Sequence, residues 1–216
     1  MGGMGTRATW RFCQRLTDEL DPKKEWDHPP MQVWLGTQIP SRTRAVLYGE
    51  ESPVKATVKL LYRMYNAGVR MVAVPCNSIH FWRKEIMECL PDDMEWIDMI
   101  SSVLDQIDVS PNTLVIGGYA TMTKALYGGY AIYPMAEYKY IAQLLEKLRT
   151  GKGTDSERTV QNLVWRYNPE NVLLACTELS LMDTQERPGL IPVFDSGTLY
   201  AKAVANLWKS RQLSSC

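Results

Sequence analysis

Met71-Val-Ala-Val-Pro-Cys-Asn-Ser-Ile-His80 is the stretch of sequence that decides the fold. Its apolar run predicts a short buried strand, and the polar residues after Pro75 predict that the strand ends where a helix begins. In open α/β sheets, ligands bind at the carboxyl ends of the parallel strands. The stretch therefore places the thiol of Cys76 and small polar side chains at a candidate binding site.

The same arrangement returns a hundred residues later, in Asn171-Val-Leu-Leu-Ala-Cys-Thr-Glu178. This second apolar run also ends in a cysteine, Cys176, followed by hydrogen-bonding residues. Two strand-end cysteines of this kind indicate two similar half-domains that face one another across a cleft.

Strands and helices alternate along the rest of the chain, and β-hairpin signals are absent, which is typical of the α/β class with parallel sheets. We expect a first half-domain from residues 1–98 with the C-terminal helix 198–210, and a second from residues 99–197. The further predicted strands are Met31–Gly36, Thr113–Gly117 and Tyr130–Tyr133, and the clearest helices are Ala136–Leu148 and Ser156–Tyr167.

Composition narrows the class of partner. Lys+Arg and Asp+Glu are equal at 24 each, so the basic footprint of a nucleic-acid binder is missing. No apolar stretch approaches the roughly 20 residues needed to span a bilayer. Five cysteines without CxxC spacing indicate reduced thiols in a cytoplasmic protein. The two histidines are not in metal-ligand spacing, so we expect no metal. The balanced charge favours a small molecule over a polyanion as the partner.

Two facing thiols favour acid–base chemistry at a carbon atom. A strand-to-helix junction is expected to lower a thiol pKa from its usual value of about 8.5. One sulfur would then remove an α-proton, and the other would return a proton from the opposite side, which inverts an amino-acid stereocentre. The alternative is that both cysteines are buried structural residues.

Such a reaction also needs groups that hold the substrate carboxylate. Arg42 is a candidate because a guanidinium binds carboxylate through two parallel hydrogen bonds. Donors are needed where negative charge builds up in the transition state. Side chains of the required type are Asn77, Ser78, Thr121 and Thr177.

Five motifs, in order, resemble the aspartate/glutamate racemase family over nearly the whole chain. They are Gly2-Gly-Met-Gly with Ala8-Thr9, Gln38-Ile-Pro-x-Arg42-Thr43, Pro75-Cys-Asn-Ser-x-x-His80, Ala175-Cys-Thr-Glu-Leu179 and Phe194-Asp195. The resemblance implies two pseudo-symmetric, Rossmann-like α/β half-domains with the active site between them. It also implies an amino-acid racemase that uses no cofactor, neither pyridoxal phosphate nor a metal, and that forms a homodimer.

Carried over residue by residue, the resemblance makes Cys76 and Cys176 the acid/base pair and Arg42 the substrate-carboxylate arginine. Asn77, Ser78 and Thr177 become donors to the α-carboxylate, and Thr121 matches a threonine of the loop after the second-half strand. Glu178 would help to position the substrate amino group, and Arg149 is a second cation that would suit a dicarboxylic substrate. Met4 and Gln38, in matched motifs, are further substrate-binding candidates.

The sequence departs from the family at four places, and one of them is Arg149, which stands where aspartate-specific relatives have a lysine. Ser78 stands where threonine is usual, which keeps the hydroxyl and loses a methyl group. The loop Gly117–Thr121 has one hydroxyl fewer than in the family, and this difference leaves the choice among aspartate, glutamate and another amino acid open. Family members also have a short apolar strand before the glycine turn at which this chain starts. We therefore expect either a true start upstream or a half-domain that lacks a central strand.

Two other enzymatic activities and one non-enzymatic function remain open at this point. A relative of the family, a maleate cis–trans isomerase, uses one thiol as a nucleophile on a double bond. A racemase of other amino acids would need the same cysteine pair. A decayed paralogue would bind ligand without turnover. Outside the site, we expect Cys89 to be a structural residue within a helix and His80 to be packed in the interior.

Overall fold

The computed structural model describes residues 1–152, 156–182 and 191–214. Within these ranges the chain forms two parallel β-sheets surrounded by helices, which confirms the predicted α/β class. The strands are β1 (Met71–Ala73), β2 (Glu95–Ile97), β3 (Thr113–Gly117), β4 (Asn171–Ala175) and β5 (Val193–Asp195). The helices are α1 (Thr6–Leu20), α2 (Arg42–Tyr48), α3 (Val54–Asn66), α4 (Arg83–Met87), α5 (Met99–Leu104), α6 (Tyr119–Thr123), α7 (Tyr138–Thr150), α8 (Ser156–Tyr167) and α9 (Ser196–Ser214).

The first sheet pairs β1 with β2 in parallel, with Val72 opposite Trp96. Both side chains are buried, and they share a hydrophobic cluster with Leu61 of α3 and Ile86 of α4. The sheet is therefore covered by the helices that precede and follow β1, as a parallel connection requires.

The second sheet has the order β3-β4-β5, and all its strands are parallel. Ile116 and Leu174 are fully buried in it against α7 and α8. Helix α7 buries Ile141, Leu144, Leu145 and Leu148, the stripe that its sequence periodicity predicts. It ends at Thr150 and is capped by Gly151, whose φ of 76° is the left-handed conformation that glycine tolerates.

A third hydrophobic cluster joins the two sheets. It contains one face each of α1, α5 and α9, together with residues from β3 and β4. At its centre Phe12 of α1 stacks on Tyr200 of α9 with ring centroids 5.4 Å apart. The hydroxyl of Tyr200 donates to the carbonyl of Ile97, so α9 also holds the end of β2.

The predicted strand Thr113–Gly117 is confirmed, and two others are reduced to single bridges. Leu35 pairs only with Gly2, and Ile132 pairs only with Leu114. In the first case Pro29 and Pro30 donate no backbone hydrogen bond before the segment, and in the second Pro134 ends it at once.

Two predictions around β1 have different outcomes. The helix expected after Cys76 begins as a 3-10 turn, Asn77–Trp82, and its α-helical part ends at Met87. Cys89 therefore lies beyond the helix and is exposed, so its prediction as a structural residue within a helix was wrong. His80 is buried as expected, with Nε2 3.1 Å from the carbonyl oxygen of Val74 and Nδ1 3.3 Å from the Asp98 carboxylate.

None of the helices in the described ranges is long and apolar enough to cross a membrane.

Candidate active site

A cavity of about 490 Å³ opens between the two sheets, at the carboxyl ends of β1 and β4. Residues from both halves of the chain line it, including α2, α7 and the glycine turn before α1. Nine of the residues singled out in the sequence are among them: Met4, Arg42, Cys76, Asn77, Ser78, Arg149, Cys176, Thr177 and Glu178.

Cys76 is a buried side chain on the first-sheet side of this cavity. Its backbone N–H donates to the carbonyl of Val74 over 2.8 Å, which turns the chain out of the strand. Burial raises the pKa of the Cys76 thiol, and the nearby positive charge of Arg42 opposes that rise. Cys76 is thus the cysteine whose thiolate is stabilised by a cation.

Cys176 lies on the second-sheet side, and its thiol donates to a carboxylate oxygen of Glu178 over 3.1 Å. Burial raises the pKa of Cys176 well above its usual value, and the Glu178 charge and hydrogen bond raise it further. The sequence-based expectation of lowered thiol pKa values was therefore wrong for both cysteines, because burial outweighs the strand-to-helix junction.

Arg42 is the first residue of α2, which Ser41 caps by accepting a hydrogen bond from the Arg44 N–H. Its Nη1 donates to the carbonyls of Ile39 and Pro40, over 3.3 and 2.8 Å, so the guanidinium is fixed in place. The buried Nε of Arg42 has no hydrogen-bond partner among the described residues. A buried donor of this kind is costly unless a ligand accepts from it.

Asn77 and Thr177 connect the two halves behind the cavity. Asn77 accepts a hydrogen bond from the hydroxyl of Tyr127 and donates to Ser196 Oγ over 3.2 Å. The hydroxyl of Thr177 donates to the carbonyl of Pro75 over 3.2 Å. These bonds orient both side chains, and one further N–H of the Asn77 amide is available as a donor.

The remaining two predicted residues lie off the cavity wall. Thr121 is fully buried, and its hydroxyl is 2.9 Å from the hydroxyl of Ser78, which does line the cavity. Gln38 is exposed, whereas its neighbours Thr37 and Ile39 line the cavity. Thr121 is thus placed to orient Ser78, and Gln38 does not line the cavity.

Of the cavity wall that α7 provides, the sequence analysis predicted only Arg149 and missed Tyr138, Ala142, Leu145 and Glu146. The three- and four-residue spacing of these positions places them on one side of a helix, so periodicity was a usable signal. Arg149 is bound on this wall by two carboxylates. Its Nη1 lies 2.6 Å from Glu146 and its Nε lies 3.6 Å from Glu178.

The side chains of the cavity do not form a metal centre of the usual kind. Among the residues the structure describes, no group of three or more His, Cys, Asp or Glu side chains is arranged to hold a metal ion.

The protein is thus of the α/β class with two parallel sheets. A cysteine follows a strand of each sheet, and both cysteines line one cavity between the sheets. No family model matches the sequence. The chain has the fold of the aspartate/glutamate racemases, which its motifs predicted.

Among solved structures, the chain is similar to aspartate racemase from Picrophilus torridus, with a TM-score of 0.80 and 24% identity over 95% of this chain and 91% of that one. An aspartate racemase homologue from Pyrococcus horikoshii OT3 gives a TM-score of 0.69 at 18% identity, over 96% and 97%. In sequence, the chain is 20% identical to the broad specificity amino-acid racemase RacX of Bacillus subtilis (strain 168), over 98% of each.

Proposed function

We propose that this protein is an amino-acid racemase that needs no cofactor and uses Cys76 and Cys176 as its acid/base pair. One observation carries the proposal: the two cysteines follow strands of different sheets and line the same cavity. The similarity in sequence to a broad specificity amino-acid racemase over 98% of the chain supports it.

The reaction would proceed by two proton transfers. The thiolate of one cysteine takes the α-proton, and the electron pair of the broken C–H bond stays on the substrate as a carbanion. The thiol of the other cysteine then gives its proton to the opposite face of that carbon. The first sulfur ends as a thiol and the second as a thiolate, and the stereocentre is inverted.

Arg42 would hold the substrate carboxylate, onto which the carbanion charge spreads. Its buried, unpaired Nε and fixed guanidinium suit that role, because donors that are preorganised need not rearrange as charge develops. Since both thiols have raised pKa values, the thiolate fraction grows with pH, and we expect the rate to go on rising with pH beyond the usual thiol value of about 8.5.

Aspartate and glutamate are the substrates that the family resemblance implies, and we take them as the first candidates. The remaining expectations from the sequence are proposals of the same standing: a cytoplasmic homodimer, and half-domains formed by residues 1–98 with 198–210 and by residues 99–197. The separation of β1 and β2 from β3, β4 and β5 supports this division.

The test is α-proton exchange in D₂O, with each enantiomer of a panel of amino acids that includes aspartate and glutamate. Wild type should exchange the α-proton and racemise at least one of them, and Cys76→Ser and Cys176→Ser should each abolish racemisation. Cys89→Ser is the matched control, because Cys89 is exposed and outside the cavity. Absence of exchange with every amino acid would overturn the proposal, and ligand binding without exchange would favour the decayed paralogue.

A further inference from the structure

Four charged side chains line the cavity, and their formal charges cancel. Arg42 and Arg149 supply two positive charges, and Glu146 and Glu178 supply two negative ones. The site therefore differs from one built to attract an anion, in which cations would exceed carboxylates.

The head group of an α-amino acid accounts for one charge of each sign. If the proposed function holds, Arg42 pairs with the α-carboxylate through its unpaired Nε. Glu178, whose side chain is buried beside Cys176, is the carboxylate placed to accept from the α-ammonium group. A zwitterion thus matches Arg42 and Glu178 without leaving a charge unpaired.

The charges that remain lie on α7 and already neutralise each other. Arg149 lies 2.6 Å from Glu146, and its other side faces Glu178 at 3.6 Å. A side-chain carboxylate that approached Arg149 would have to displace Glu146 or lie beside two carboxylates. Like charges a few ångströms apart near a protein surface repel by an amount worth tenfold or more in binding.

The rest of this wall is uncharged. Tyr138, Ala142 and Leu145 line the cavity from α7, and Met4 and Ile39 line it from the first half. A volume of about 490 Å³ lies within the range of pockets that enclose drug-sized ligands, so side chains longer than that of aspartate fit.

We infer that the substrate side chain is uncharged, and that asparagine, glutamine or a larger neutral amino acid is used in preference to aspartate and glutamate. This inference rests on the proposed function and deepens it by naming the substrate class. It departs from the acidic substrates that the family resemblance implies.

Isosteric pairs of substrates test the inference directly. We expect kcat/KM for α-proton exchange to be at least about tenfold higher for glutamine than for glutamate, and for asparagine than for aspartate. Lysine should be slower than glutamine, because its ammonium group would have to displace Arg149 from Glu146 or lie beside the guanidinium. Faster exchange of either acidic substrate, or of lysine, would overturn this inference and leave the racemase proposal standing. No exchange with any amino acid would overturn both.

A single substitution then tests the role of the ion pair between Arg149 and Glu146. Glu146→Gln frees Arg149 from its nearer partner, so the glutamine-to-glutamate ratio of kcat/KM should fall at least about threefold. Glu88→Gln is the matched control, because Glu88 is exposed and does not line the cavity. An unchanged ratio in Glu146→Gln, with activity retained, would overturn the assignment of the charge preference to the Arg149–Glu146 pair.

Discussion

The thiol of Cys176 donates a hydrogen bond to the carboxylate of Glu178 over 3.1 Å, whereas Cys76 lies beside the cation of Arg42. The two cysteines of the cavity are therefore in electrostatically opposite surroundings. The carboxylate favours the protonated form of Cys176, and the guanidinium favours the ionised form of Cys76. In the resting protein this polarity favours the thiolate at Cys76 over the thiolate at Cys176, so under the proposed mechanism Cys76 is the sulfur ready to accept a proton and Cys176 the one ready to give it.

Glu178→Gln should lower the pKa of Cys176. Burial, the largest cause of the raised pKa, is unchanged by the substitution, but the negative charge and its hydrogen bond are removed. The alkylation rate of Cys176, followed by mass spectrometry against pH, should reach its midpoint at lower pH than in wild type. The exposed Cys89 is an internal control in the same sample. An identical pH profile for Cys176 in both proteins would contradict the assigned contact.

Arg42→Lys should weaken substrate binding while keeping the charge. A lysine cannot reproduce the fixed guanidinium with its buried Nε, and a hydrogen bond to a charged group contributes about 1.5–3 kcal/mol. We expect KM to rise roughly ten- to hundredfold.

The matched control for this change is Arg44→Lys, two residues further along α2. Arg44 is exposed and pairs with Glu50, and neither residue lines the cavity. Its KM should stay near the wild-type value. A similar KM in both variants would refute the role of Arg42 in binding.

Tyr127→Phe should reduce both stability and activity. Tyr127 is fully buried, and its hydroxyl donates to the side-chain oxygen of Asn77, which would lose its partner. An unsatisfied buried acceptor costs about 1–3 kcal/mol, measurable by urea unfolding. Racemisation should fall as well, because Asn77 is no longer held in orientation. Tyr140→Phe, at an exposed position on α7, should change neither quantity. Unfolding at the wild-type urea concentration would count against this hydrogen bond.

Gly5→Ala should lower activity without unfolding the protein. A Cβ atom at Gly5 would lie 2.8 Å from an oxygen of Glu178, so the carboxylate must move away from its place beside Cys176. A displacement of about 1 Å at a catalytic site can cost on the order of a hundredfold in rate. We expect at least a roughly tenfold loss in kcat/KM with little change in melting temperature.

Gly129→Ala provides the comparison, because a Cβ atom there meets nothing within 4 Å. It should leave the rate unchanged. If Gly5→Ala is as active as Gly129→Ala, then crowding at Glu178 has no effect on the reaction.

Asp98 should make the protein acid-sensitive. Burial would raise its pKa, but His80 and Arg83 outweigh that effect and lower the pKa from 3.8 to about 2. A lowered pKa stabilises the fold above the unfolded-state value, and this stabilisation is lost as pH falls from about 4 to about 2. Asp98→Asn should therefore reduce the free energy of unfolding at pH 7 by roughly 2 kcal/mol, and by much less near pH 2.

Asparagine is the informative replacement because it retains the oxygen that caps α5 by accepting from the Ile100 N–H. The exposed Asp92→Asn is the control. A loss of stability that does not change with pH would point to packing and not to the charge of Asp98.

The sequence alone determined the fold class, because the signals involved are local. The apolar runs before Cys76 and Cys176 and the spacing of Ile141, Leu144 and Leu148 each lie within one element. Periodicity within an element depends only on strand or helix geometry. The order of the motifs likewise predicted the fold of the aspartate/glutamate racemases. Nine of the site residues predicted from the sequence line one cavity.

Only the tertiary structure decided the electrostatics of the site. A thiol pKa depends on burial and on charges brought near by folding, so a strand-end position predicted the wrong direction for both cysteines. The contact of Arg149 with Glu178 joins α7 to the loop after β4, two elements distant in sequence. Contacts of this kind, which only folding makes, bring two arginines and two glutamates to one cavity, where their formal charges cancel.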